Sequence, residues 1–175
     1  MLIKPKKSLG QNFLTDKKIL NKIVDEVEIN NNEILEIGPG TGNLTEYIIK
    51  KKPKKIYVVE KDKQLTIFLK NKFDNKINII NEDILKIYEN KISNERLIVF
   101  GNLPYNISTE ILCKWILNLK DVFWFKQLIL MFQKEVAERI IADFNTSQYG
   151  RLSILSSWRL NIKKIFDIEP TSFSP

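Results

Sequence analysis

Asn102-Leu103-Pro104-Tyr105 is the stretch of this 175-residue chain whose residue types and order fit one specific reaction. The exocyclic amine of an adenine ring is a poor nucleophile, because its lone pair is delocalised into the ring. Methyl transfer to it needs the nitrogen reoriented, with the lone pair aimed at the methyl donor. An Asn side-chain oxygen and a backbone carbonyl can accept the two N–H bonds and hold that orientation. Asn102 would supply the first acceptor. Pro104 fixes the turn so that the preceding carbonyl, that of Leu103, points at the same place. Tyr105 offers a face for stacking an extruded base and for stabilising a sulfonium. No strong base is required, since the protonated product amine sheds its proton readily, and the chain contains no histidine.

A tetrapeptide of this kind could also be a plain turn. What weighs against that is a series of motifs upstream. Glu36-Ile37-Gly38-Pro39-Gly40-Thr41-Gly42 lies between an apolar run and a helical pattern. Glycines there permit a tight turn and close backbone approach to a ligand, and a helix N-terminus offers free amides. The spacing is G-x-G-x-G rather than G-x-G-x-x-G. That tilts the reading from a dinucleotide towards S-adenosylmethionine, which has no pyrophosphate to cradle. Glu60, at the end of the next apolar run, can accept from both ribose hydroxyls of either cofactor. Asp83, in Asn81-Glu82-Asp83-Ile84, could accept from the cofactor's adenine amino group, with Ile84 packed on the ring. The plainer readings are a strand-to-helix turn, a surface acid and a cap, and Asp83 gains value only from its place in the series.

The elements that must position these residues alternate. Apolar runs predict strands at Ile34–Gly38, Lys55–Glu60, Ile77–Ile80, Leu97–Phe100 and Gln127–Phe132. Helical periodicity predicts helices at Leu44–Lys51, Lys63–Phe73 and Thr109–Leu119, and another running to about Phe144. Upstream, Thr15 is a candidate N-cap for a helix with Ile19, Leu20, Ile23, Val24 and Val27 on one face. Such alternation argues for a mostly parallel sheet covered on both faces. Ser153–Leu160 and Ile162–Ile168 read as two more strands joined at Asn161, which would be antiparallel. The expected architecture is therefore α/β: a seven-stranded, mostly parallel sheet with a C-terminal antiparallel hairpin, as in the Rossmann-like class I methyltransferases.

Composition narrows the function classes. Cys113 is the single cysteine, which excludes an intrachain disulfide, and the lack of histidine excludes His-based metal sites and triads. We expect no metal. No apolar run is long enough for a membrane span, and Met1-Leu2-Ile3-Lys4-Pro5-Lys6-Lys7 lacks the apolar core of a signal peptide, so a cytoplasmic protein with no membrane partner is expected. The net charge of +7 suits a polyanionic partner, but only four of the 28 basic residues are arginine, and charge alone leaves nucleic-acid binding open. Lys50-Lys51-Lys52-Pro53-Lys54-Lys55 reads as a solvated run, and Lys134, Glu135, Glu138 and Arg139 as a charged helix face. Trp115, Trp124, Phe125 and Trp158 read as core. Lys4, Lys6 and Lys7 are the better candidates for RNA contact, because they precede a segment that could cover the cofactor.

Taken together the motifs resemble those of the ribosomal RNA adenine dimethyltransferases of the small-subunit, KsgA type. The resemblance runs through Lys7-Ser8-Leu9-Gly10-Gln11-Asn12-Phe13-Leu14, Leu35-Glu36-Ile37-Gly38-Pro39-Gly40-Thr41-Gly42, Val59-Glu60-Lys61-Asp62, Asn81-Glu82-Asp83 and Gly101-Asn102-Leu103-Pro104-Tyr105-Asn106. It continues through Met131-Phe132-Gln133-Lys134-Glu135-Val136-Ala137, Tyr149-Gly150-Arg151-Leu152-Ser153 and Pro170-Thr171-Ser172-Phe173-Ser174-Pro175. It implies two successive methylations of adenine N6 in small-subunit (16S) rRNA during ribosome biogenesis, acting on the immature small subunit. It implies cofactor contacts at Asn12, Leu14, Gly38, Glu60, Asp83 and Asn102. The target-base site falls on Asn102, Leu103, Pro104 and Tyr105, and Phe173 matches an aromatic set against the flipped base. Relatives that methylate large-subunit rRNA (the Erm enzymes) usually read Asn-Ile-Pro-Tyr, so Leu103 favours the small-subunit branch. The expected organisation is a basic, cofactor-covering arm over residues 1–14 and a methyltransferase domain over 15–175. The family's helical C-terminal domain is expected to be absent, and the protein is expected to be a monomer. The rivals are a non-catalytic RNA-binding assembly factor, an Erm-like large-subunit enzyme and an NAD-linked oxidoreductase.

Overall fold

The computed structural model describes residue 6 and residues 10–174. Lys4, Lys7 and the Lys7-Ser8-Leu9 start of the first motif lie outside the described residues, as does Pro175.

Five strands form one all-parallel sheet: β2 (Glu33–Ile37), β3 (Lys55–Val59), β4 (Asn78–Ile80), β5 (Leu97–Asn102) and β6 (Phe125–Met131), in the order β4-β3-β2-β5-β6. Strand side chains alternate between faces, and here both faces are apolar. Ile34, Ile56, Val58, Ile98 and Phe100 face one way, into a cluster with Leu20 and Ile23 of α1 (Lys17–Val24), Leu44 and Ile48 of α2 (Asn43–Lys50) and Leu69 and Phe73 of α3 (Lys63–Phe73). Leu35, Ile37, Tyr57, Val59, Leu97 and Val99 face the other, against Ile111 and Trp115 of α4 (Ser108–Leu117). This is why the strands read as continuous apolar runs: a parallel sheet must be covered on both sides. The cap of α1 is Asp16, not Thr15; its carboxylate accepts from the Lys18 and Ile19 amides.

The expected seven-stranded sheet with a C-terminal hairpin is corrected. Arg151–Arg159 is a helix, α6, and no strand forms over 162–168. Leu152, Ser153 and Ser156 are its buried residues, a 3–4 spacing that belongs to a helix. The serines are small enough to let α6 lie close on α4 and on α5 (Lys134–Ile140), both of which it contacts. Ile154 and Trp158, four apart, project to solvent, at 53% and 64% exposure. Trp158 is thus not core, whereas Trp115 and Phe125 are buried. Alternate apolar residues in Arg151–Leu160 mimicked a strand because the outward face of the helix is itself apolar.

The remaining two strands form a separate antiparallel pair, β1 (Phe13–Leu14) with β7 (Phe173–Ser174). Thr15 and Asp16 extend the join by donating their amides to the Ser172 carbonyl at 2.9 and 3.2 Å. The end of the chain therefore fastens the segment before α1. The charge run at 50–55 is spent on the surface, with ion pairs Lys51–Asp25 and Lys54–Glu95.

Candidate functional site

In the parallel sheet the chain moves outward from β2 to β3 and β4, then crosses back to β5 and β6. Loops after β2 and β5 therefore diverge and leave a crevice at the carboxyl ends of the strands, where α/β proteins bind ligands. The Gly38–Gly42 loop leaves β2, and Asn102 ends β5. Ile37 pairs with Gly101, which sets Gly38 beside Asn102. A cavity of about 200 Å³ opens at this point.

The glycine loop shapes one wall. Gly40 and Gly42 have φ of +58° and +75°, where an L side chain is strained. A Cβ on Gly40 would lie 2.7 Å from the Phe13 ring, and one on Gly42 would collide with the Phe73 ring. The loop is thus clamped between the N-terminal segment and α3. Gly42 also caps α2.

The N-terminal segment forms a strap across the cavity, and Gly10 to Leu14 line it. The Asn43 side chain donates to the Leu14 carbonyl at 2.8 Å, and the Asn102 side chain to the Asn12 carbonyl at 2.7 Å. Further out, Asp62 holds Lys6 in an ion pair of 2.7 Å and accepts from the Gln11 amide at 3.4 Å. Lys6, a candidate for RNA contact in the sequence, is therefore engaged within the protein. Burial pushes the Asp62 carboxyl up, but Lys6 and the Gln64 and Gln11 donors outweigh it and hold it below the usual range.

Two acids stand inside. Glu60 accepts from the Asp62 amide at 2.8 Å and the Gly40 amide at 3.4 Å, while burial pushes its carboxyl up. Glu36 is 2% exposed and accepts from the Thr45 hydroxyl at 2.7 Å. Burial raises its pKa to about 7; Thr45 opposes the rise and Glu60 adds to it. On the far side Asp83 caps the short turn Ile84–Lys86 by accepting from the Leu85 amide at 3.0 Å. Its other oxygen pairs with Lys61 at 2.8 Å. Lys61 first, with the Leu85 amide behind, holds the Asp83 carboxyl below the usual range.

Of the residues singled out in the sequence, Asn12, Leu14, Gly38, Glu60, Asp83, Asn102 and Pro104 all line this one cavity, with Ile84 beside them. Three do not. Leu103 is 1% exposed and packs in the core, where a Cβ on Gly101 would meet its Cδ2 at 2.8 Å. Tyr105 is half-buried next to the cavity wall, and Phe173 is half-buried on β7, opposite Leu14 and against the core. Sequence reasoning missed Lys61 as Asp83's partner, Asp62 as the anchor of the strap and Glu36 as a buried acid of the wall. Val59-Glu60-Lys61-Asp62 carried a signal for the first two, because it places two further charges straight after Glu60. Among the described residues no group of three or more His, Cys, Asp or Glu could hold a metal, and no helix is long and apolar enough to cross a membrane.

Comparisons with known proteins show the family. The family described as "Ribosomal RNA adenine dimethylase" matches residues 3–175. The chain is 69% identical, over all of its length and 67% of the relative's, to ribosomal RNA small subunit methyltransferase A of Pelagibacter ubique. It is 46% identical, over 99% of its length and 64% of the relative's, to the protein of that name from a Wolbachia of Drosophila simulans. It thus spans about two thirds of the length of these curated relatives. Among solved structures, a dimethyladenosine transferase from Plasmodium falciparum is similar at TM-score 0.70 and 31% identity, over 82% of this chain and 51% of that one. The 23S rRNA methyltransferase ErmE follows at TM-score 0.64 and 27% identity, over 83% and 57%. With the family matched from residue 3 to residue 175, over the strap, glycine loop and Asn102 turn alike, this chain belongs to the ribosomal RNA adenine dimethylase family.

Proposed function

We propose that this chain is the catalytic part of an enzyme that transfers methyl groups from S-adenosylmethionine to N6 of adenine in small-subunit rRNA, giving N6,N6-dimethyladenine. The observation that carries the reading is the setting of Asn102. Its side-chain nitrogen is bound by a carbonyl, which only an N–H can satisfy, so the nitrogen and oxygen of the amide are not interchangeable here. The oxygen, with no donor among the described residues, is left at the cavity as an acceptor for an incoming amine.

The donor set fits the cofactor. Glu60 would take the ribose hydroxyls, Asp83 the adenine amino group, and Gly38 would let the backbone approach. Asn12 and Leu14 would cover the site from the strap. When bound, the cofactor supplies an electrophilic methyl on a sulfonium. The protein's part is to hold the target nitrogen in line with that methyl through Asn102 Oδ1 and the Leu103 carbonyl, and to exclude water with the strap. Leu103 serves through its backbone, with its side chain anchoring the turn in the core. Tyr105 would stack the extruded base and Phe173 would stand against it, each after a side-chain movement towards the site. The small-subunit target rests on the names of the most similar relatives, and a cytoplasmic, monomeric protein on the same reading.

The test is transfer of labelled methyl groups to immature small ribosomal subunits. Incorporation at N6 of adenine, reaching two methyls per target base, is expected. No incorporation with RNA binding retained would instead favour a non-catalytic assembly factor. Preference for large-subunit rRNA would move the chain to the other branch.

A further inference from the structure

Asp83 has two carboxylate oxygens and both are in use. One accepts from the Leu85 amide at 3.0 Å and holds the turn at Ile84–Lys86 in place. That bond is part of the fold. The other carries no bond of the fold, and the Lys61 ammonium sits on it at 2.8 Å. Both residues line the cavity. They differ in exposure: the side chain of Lys61 is 57% exposed and that of Asp83 14%. Lys61 can swing into water, whereas Asp83 stays.

We infer that Lys61 competes with the adenine amino group of the cofactor for Asp83, and so sets both the affinity for the cofactor and its salt dependence. The inference rests on the reading of the site as an S-adenosylmethionine site. The ammonium stands where the neutral N–H donor of the ligand would go, in front of the same acceptor. An exposed pair of this kind is worth little, a factor of about 1.4 to 5 in affinity. A neutral amine bonded to a carboxylate outweighs it. Binding therefore proceeds, but each bound adenine displaces one ion pair. A ligand lacking an amino donor at that position has nothing to offer Asp83 and leaves the pair closed. Lys61 thereby narrows the preference for adenine over other purines, because only adenine has to displace it. Because the displaced pair is exposed, added salt screens it and weakens the competitor.

The experiment is calorimetric titration of S-adenosylhomocysteine into the full chain, at low and at high salt. Lys61→Met is expected to bind two- to five-fold more tightly than the natural chain at low salt, with little response to salt. The natural chain should tighten as salt rises, and Lys61→Arg, which keeps the pair, should follow it. In an Asp83→Asn background the Lys61→Met gain should vanish, since no ion pair remains to be displaced. Equal or weaker binding by Lys61→Met, or the same gain in the Asp83→Asn background, would overturn the competition. Failure of the natural chain and every variant to bind S-adenosylhomocysteine would overturn the cofactor reading beneath it, a result distinct from unchanged affinity.

Discussion

The side-chain nitrogen of Asn102 donates to the backbone carbonyl of Asn12 at 2.7 Å, across 90 residues of sequence. The acceptor proposed for the target amine is thus aligned by the segment proposed to cover the cofactor. Asn102→Ala should lower methyl transfer by about 10²-fold or more, with S-adenosylhomocysteine affinity changed only a few-fold. Asn102→Asp separates alignment from acceptance. A carboxylate is the stronger acceptor but cannot donate to the Asn12 carbonyl, and its negative charge faces that oxygen. It should therefore lose turnover too. Single-turnover rates check this, and a fully active Asp variant would refute the alignment.

Glu36 makes stability fall as pH rises. Its folded pKa, about 7, lies above the ordinary value of 4.5. Between these the native state holds a proton that the unfolded chain has released. Stability therefore drops across that window, by on the order of 3 kcal/mol from this group. Glu36→Gln keeps an acceptor for Thr45 and removes the titration. It should melt several degrees higher than the natural chain at pH 8 and show no such gain at pH 5, by calorimetry at both values. A gain of the same size at pH 5 would contradict the assignment.

Gly42 combines a φ of +75° with the Phe73 ring against its Cα. Gly42→Ala should cost about 2–4 kcal/mol, from backbone strain and overpacking together. Urea unfolding reads the loss directly, and a change under 1 kcal/mol would mean that the loop relaxes freely.

Lys114 of α4 donates to the Ile84 and Ile87 carbonyls at 2.8 and 2.5 Å, and to Glu89 at 2.6 Å; Trp115 donates to the same Glu89 oxygen at 2.6 Å. This knot ties the turn bearing Asp83 to the helix that follows the Asn102 loop. Glu89→Ala leaves a buried indole N–H without its acceptor and a half-buried ammonium without its counter-charge. It should destabilise by about 3 kcal/mol, and adding Lys114→Met should recover part of that. Strict additivity of the two changes in urea unfolding would argue against a shared network.

The parallel sheet was legible because burial on both faces leaves apolar runs, as at Ile34–Ile37 and Ile98–Phe100. The wall of the cavity was legible because glycine spacing and acids at strand ends are local signals. What stayed hidden depends on contacts between distant residues. Asp62 anchors Lys6 and Gln11 across 51 residues of sequence in the latter case, and although its own motif marks it as a charge beside Glu60, nothing local names those two partners. Ser153–Leu160 was misread because a local alternation cannot tell a buried strand from a helix with an apolar outer face; only the burial of Ser153 and Ser156 against α4 and α5 decides it.

The pairing of Phe13 and Leu14 with Phe173 and Ser174 joins segments that lie far apart in the chain: Thr15 and Ser172, which flank it, are 157 residues apart. Closing so long a loop is an entropic cost that grows with the separation, and contacts of this range form late. During synthesis the strap would leave the ribosome well before its partner strand, which lies about 157 residues further along the chain. The glycine loop, the acids and Asn102 can be folded and waiting while the strap is still unfastened. Competence to enclose a ligand is thus timed to the translation of Phe173 and Ser174, so a nascent or frayed chain would hold these residues in an open, water-filled crevice.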